Sequence, residues 1–77
     1  NYKVPSDDYD NLKIYPESGG ITHDRFHAYY LDRNLNYDLK GNLLTDTIDI
    51  ATFKVTGYLD CHDKFGTINV FRGRIEK

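Results

Sequence analysis

The sequence predicts a mostly β domain: a small antiparallel sheet, sandwich or partly open barrel of about five strands with two D-x-x-G hairpins. Three observations carry this. Seven Tyr and four Phe stand among only 77 residues, and aromatic side chains favour the pleated, half-buried surface of a strand. Two segments, YDLKGNLL (37–44) and HDKFGTIN (62–69), share D-x-x-G followed by an apolar-bearing run. The remaining apolar runs are short and separated by turn-forming residues. An α+β alternative, with one helix around residues 22–34, competes for one stretch only.

Taken in chain order, residues 1–11 (NYKVPSDDYDN) read as a flexible or extended N-terminal arm of a single domain spanning 1–77. Its acids Asp7, Asp8 and Asp10 lack the D-x-D-x-D-G spacing of a cation loop. LKIY (12–15) is a short strand. PESGG (16–20) is a turn, because Pro cannot continue a strand interior and two glycines permit positive φ. From Ile21 to Leu35 two readings compete. A helix would take Thr22 as N-cap with Asp24 in its first turn. A strand would alternate Phe26, Ala28 and Tyr30 against His27, Tyr29 and Leu31, and the density of Tyr and Phe favours it.

The second half is organised by its turns. Asp suits the first position of a type I turn, where its side chain bonds backbone two residues on, and Gly in the fourth position suits the left-handed bulge. With Asp63 opposite Thr67 and Gly66 as the bulge, Leu59 faces Phe71, Gly57 faces Gly73 and Val55 faces Ile75. One apolar face of Phe53, Val55, Leu59, Phe71 and Ile75 follows, joined by Ile48, Ile50 and Tyr30. Thr56, Tyr58, Ile68 and Val70 fall on the other face. The same exercise sets Tyr30 opposite Ile50, and the apolar phase then switches near Ala51. Residues 47–60 therefore read as one long bent strand shared by two small sheets. The nine residues NYDLKGNLL (36–44) resemble the YD-repeat of large β-shell proteins. The match occurs once and implies a hairpin here and nothing more.

Formal net charge is −2, with the cations concentrated late: residues 52–77 carry five Lys/Arg against three acids, residues 1–51 five against nine. A balance this close to neutral gives no global electrostatic reason to expect nucleic acid and argues against it as a partner. No apolar run approaches the ~18 residues of a membrane helix. The chain begins at Asn1 and holds no Met, which reads as a processed or excised chain and points to a secreted or extracytoplasmic setting. Its single cysteine forms no internal disulfide, so Cys61 is free or pairs with another chain.

Four residues are candidate soft-metal ligands: His23, His27, Cys61 and His62. On a helix His23 and His27 would share a face one turn apart. On a strand they stand about 13 Å apart, too far to hold one ion. Cys61 falls on the apolar face, where a free cysteine acts as a small hydrophobe. No phosphate loop, G-x-S-x-G or H-E-x-x-H occurs, so the chain reads as a non-enzyme without cofactor. Its tyrosines exceed what so small a core needs, and Tyr and Arg are interface residues. The expected function is a non-catalytic protein-binding module, inhibitor- or effector-like and of secreted, viral or pathogen origin. Tyr29, Tyr58, Arg72 and Arg74 form its contact surface, with self-association or a larger assembly left open. The alternatives are a single-strand nucleic-acid-binding small barrel stacking on Tyr58 and Phe71, or a His/Cys metal- or thiol-dependent domain.

Overall fold

The computed structural model describes residues 3–76. Asn1, Tyr2 of the tyrosine set and Lys77 of the basic end lie outside it. Among the described residues the fold is all β, with eight short strands in two four-stranded antiparallel sheets. The first sheet holds β1 (Lys13–Ile14), β2 (Ile21–His23), β3 (Ala28–Tyr30) and β4 (Arg33–Asn34) in that order. The second holds β5 (Lys54–Gly57), β6 (Asp60–Asp63), β7 (Gly66–Asn69) and β8 (Gly73–Glu76). Among the described residues, helical backbone is limited to three-residue 3-10 turns at Tyr9–Asn11, Pro16–Ser18 and Ile50–Thr52. No helix among the described residues is long and apolar enough to cross a membrane.

Asx side chains make most of the turns. Asp24 Oδ1 accepts from the amides of Phe26 (2.7 Å) and His27 (2.8 Å), which folds the β2–β3 connection. Asp63 Oδ1 accepts from Phe65 N at 2.9 Å, and Asn69 Oδ1 from the amides of Phe71 and Arg72. Each is the short-range bond that lets Asp or Asn open a turn. The helical alternative for 22–34 fails at Asp24, whose carboxylate draws the backbone into a tight turn where a helix would continue. Two non-glycine residues, Leu31 (φ 56°) and Leu59 (φ 66°), take the left-handed conformation in two-residue turns. Leu59 is held there by bonds from its own amide to Ser18 O (2.7 Å) and from Val70 N to its carbonyl (3.1 Å).

The register of the second sheet differs from expectation by one residue. Asp63 pairs with Gly66 and Cys61 with Ile68, so Lys64 and Phe65 alone make the turn. A one-residue slip exchanges the two faces of a strand. Ile68 and Val70 are therefore buried. Phe71 instead lies in the β7–β8 turn and Ile75 on β8, which pairs with β7 and not with β5, and both are exposed. The expected long strand over 47–60 is instead interrupted twice, by the 3-10 turn at Ile50–Thr52 and by the Tyr58–Leu59 turn that pairs β5 with β6. Tyr30 likewise faces Ile21 and Arg33, not Ile50. The core joins the two sheets: Ile21, Ala28, Tyr30 and Leu35 meet Phe53, Cys61, Ile68 and Val70, with Ile48, Ile50, Val55 and Leu59 packed at its margin.

The segment expected as an arm is tied to the first sheet where it is described. Ser6, itself buried, donates to Asp24 Oδ2 at 2.6 Å, and Asp8 pairs with Arg25 at 3.0 Å.

Candidate functional site

Between the two sheets, residues 37–43 form a small hairpin of their own. Tyr37 bridges Leu43, and Asp38 N donates to Asn42 O at 2.9 Å. Asp38 Oδ1 accepts from the amides of Lys40 (2.8 Å) and Asn42 (2.9 Å), while Gly41 N donates to Asp38 O at 3.1 Å. Gly41 stands at φ 86°, a conformation that glycine enters without steric cost. The Asn42 and Lys40 amides hold the Asp38 carboxyl below its usual range. Leu39 sits in the turn itself and is 82% exposed, an apolar side chain where turn chemistry favours polar ones.

A cleft opens on each side of this hairpin. The first, of about 310 Å³, is walled by Phe26, Ala28, Tyr37, Leu43, Ile48 and Ile50, with Asn34, Asn36 and Asp46 supplying polar groups. The second, of about 290 Å³, is lined by Arg33, Asp38, Leu39, Lys40, Asn42 and Phe71. Its floor is fixed. The Arg33 guanidinium lies 5.2 Å from the Tyr30 ring, and Tyr30 meets Phe71 edge-on at 5.6 Å. Arg33 also donates to the carbonyls of Tyr37 and Val70, tying the hairpin to the second sheet. Of ten large apolar side chains that stay exposed among the described residues, five line these two clefts: Phe26, Tyr37, Leu39, Leu43 and Phe71. That clustering singles out this surface, since scattered exposed apolar residues are ordinary.

The residues expected from sequence are dispersed. Tyr29 is 3% exposed, so its expected place on an exposed contact surface is overturned. Its hydroxyl donates to Asp24 Oδ2 at 2.9 Å, and burial together with that carboxylate pushes its pKa up to about 12. Tyr58 is 70% exposed on the β5–β6 turn, and its ring covers Gly19. Arg72 is exposed in the β7–β8 turn, at the same end of the sheet as Tyr58. Arg74 instead reaches the opposite end and grips Asp63 at 2.7 and 3.1 Å.

Among the described residues no three His, Cys, Asp or Glu side chains gather as a metal-ligand set. His23 is spent locally: its ring contacts the Tyr15 hydroxyl through Nε2 (2.8 Å) and Asp24 O through Nδ1 (3.0 Å). His27 is exposed and His62 half-buried. Cys61 is fully buried, and burial pushes its thiol up to about 12. Sequence reasoning missed Leu39, Leu43, Tyr37, Phe26 and Arg33. The one available signal was leucine inside and just after a D-x-x-G turn.

No protein-family model, curated protein or solved structure matches this chain. Its class is therefore set by its architecture: a small all-β domain of two antiparallel meanders, with an apolar hairpin exposed between them.

Proposed function

We propose that this domain is a non-catalytic protein-binding module of inhibitor or effector type, and that it meets its partner with the 37–43 hairpin and the two clefts beside it. The observation that carries this is the concentration of exposed large apolar side chains on one hairpin with a concavity on each flank. Such a patch, framed by polar groups, is the usual form of a protein contact surface. Three groups able to do chemistry support the non-catalytic half of the reading, because they are committed internally. Asp24 accepts four hydrogen bonds, Asp63 faces Arg74, and the Cys61 thiol is closed off in the core. Tyr58 and Arg72 extend the same reading to the neighbouring end of the second sheet. The two sheets act in it as halves of a small open sandwich, whose task is to hold the hairpin still.

The test is affinity capture from the source organism with the wild-type domain and with a Leu39→Ser/Leu43→Ser variant of equal thermal stability. A protein retained by the first and lost by the second supports the reading. Equal retention by both overturns it.

A further inference from the structure

The Arg33–Phe71 cleft has a chemistry of its own. Two cations stand at it, Arg33 and Lys40, and neither makes an ion pair among the described residues, whereas Arg25 and Arg74 each have a carboxylate. Arg33 donates to two carbonyls, which orient the guanidinium and leave its full charge in place. The acid at the cleft, Asp38, is turned inward onto the Lys40 and Asn42 amides and the Asn42 side chain. Beside the cations lie Leu39 and Phe71, both largely exposed. In a chain of net charge −2 this is a local positive, apolar concavity.

We infer that this cleft binds an internal acidic-apolar segment of the partner protein, an Asp or Glu side chain next to a large aliphatic or aromatic one. The inference rests on the protein-binding reading and names what that surface recognises. The carboxylate meets the Arg33 and Lys40 side chains, and the apolar neighbour lies between Leu39 and Phe71. A free C-terminus is disfavoured on a specific ground. Its capture uses unpaired backbone amides in a nest, and Asp38 already occupies those of this turn. Guanidinium and ammonium groups suit a side-chain carboxylate, which approaches from outside the turn.

The probe is a capped hexapeptide, acetyl-Gly-Glu-Leu-Phe-Glu-Gly-amide, titrated into the ¹⁵N-labelled domain to millimolar concentration. Its Gln-for-Glu analogue and an oligothymidine are run beside it. The Glu peptide is expected to shift the amides of Leu39, Lys40, Asn42 and Phe71. The Gln analogue is expected to bind more weakly, and Lys40→Glu to weaken the Glu peptide by about five-fold, the scale of one partly exposed charge contact. Lys40→Gln, which places no acid beside Asp38, is expected to fall between. The inference is overturned by equal affinity for Glu and Gln peptides, by shifts confined to the Ile48–Ile50 cleft, by no shifts at all, or by stronger response to oligothymidine. The two failures separate in the capture experiment. A partner lost with Leu39→Ser/Leu43→Ser yet bound by Lys40→Glu with wild-type affinity sinks this inference alone, and a partner indifferent to both sinks the parent reading.

Discussion

Asp24→Ala is expected to remove a large share of this domain's stability. The side chain is almost completely buried and accepts from Ser6 Oγ (2.6 Å), Tyr29 OH (2.9 Å), Phe26 N (2.7 Å) and His27 N (2.8 Å). Four bonds at about 1.5–3 kcal/mol each overstate the effect, because burying the carboxylate itself costs several kcal/mol. The orphaned donors give a better measure. Phe26 and His27 lie at the surface, where water can reach their amides, but Ser6 and Tyr29 are buried. Two stranded hydroxyls at about 1–3 kcal/mol each set a cost of about 2–6 kcal/mol, to which the lost Asx turn adds and from which relief of the buried carboxylate subtracts. A domain this size holds only roughly 4–12 kcal/mol in all.

Asp24→Asn keeps an acceptor for the two amides and is expected to cost about 1–2 kcal/mol. Burial raises the Asp24 pKa, but the bonds from Ser6, the His27 and Phe26 amides and Tyr29 outweigh it, and the folded value lies below the ordinary one. A depressed carboxyl pKa stabilises the fold above the unfolded-state value, ~3.9, and that contribution is lost as pH falls through the folded value. Asp24→Asn should therefore flatten the acid limb. The raised Tyr29 pKa acts on the other limb, with stability lost as pH rises from ~10 towards the folded value of about 12. Urea unfolding followed by circular dichroism across pH reads all of this. A loss under about 1 kcal/mol for Asp24→Ala, or an effect of Ser6→Ala that persists in full without Asp24, refutes the reasoning.

Four further outcomes follow from the packing. Gly73→Ala sets a Cβ 2.7 Å from Leu44 O at φ +78° and should cost at least ~2 kcal/mol in chemical denaturation. Gly57→Ala meets nothing within 4 Å and should stay within about 0.5 kcal/mol of wild type. Arg74→Met leaves the buried Asp63 carboxylate without its cation and is expected to cost about 3–5 kcal/mol, read by thermal melting. Cys61 should resist iodoacetamide in the native domain at neutral pH and react only on unfolding, as mass spectrometry will report.

What the sequence revealed was local. An Asp or Asn side chain bonding backbone two residues on needs no distant partner, and the turning of the chain at Asp38 and Asp63 was legible for that reason. Register was not, because the two D-x-x-G segments are alike in composition and differ in geometry. Gly41 takes the left-handed conformation within a three-residue loop, whereas Gly66, at φ 131°, joins β7 and pairs with Asp63. That single residue decided which face holds Ile68. Alternation also failed at β3, where Ala28, Tyr29 and Tyr30 are all buried. The core covers one side. The other carries the Asp24 carboxylate, shared between Tyr29 and Ser6, a contact across 18 residues that periodicity does not encode. The candidate surface escaped notice for a related cause, since Leu39 and Leu43 resemble core residues until the fold leaves them outside.

The central claim, that the 37–43 hairpin is the contact surface, is tested most directly by photo-crosslinking from two positions in the source organism. Benzoylphenylalanine replaces Leu39 in one protein and Tyr58 in another; both side chains are exposed, and only Leu39 lies on the hairpin. A discrete adduct with one partner protein from position 39, stronger than any from position 58, is the predicted result. Adducts from position 58 alone, or from neither, contradict the account.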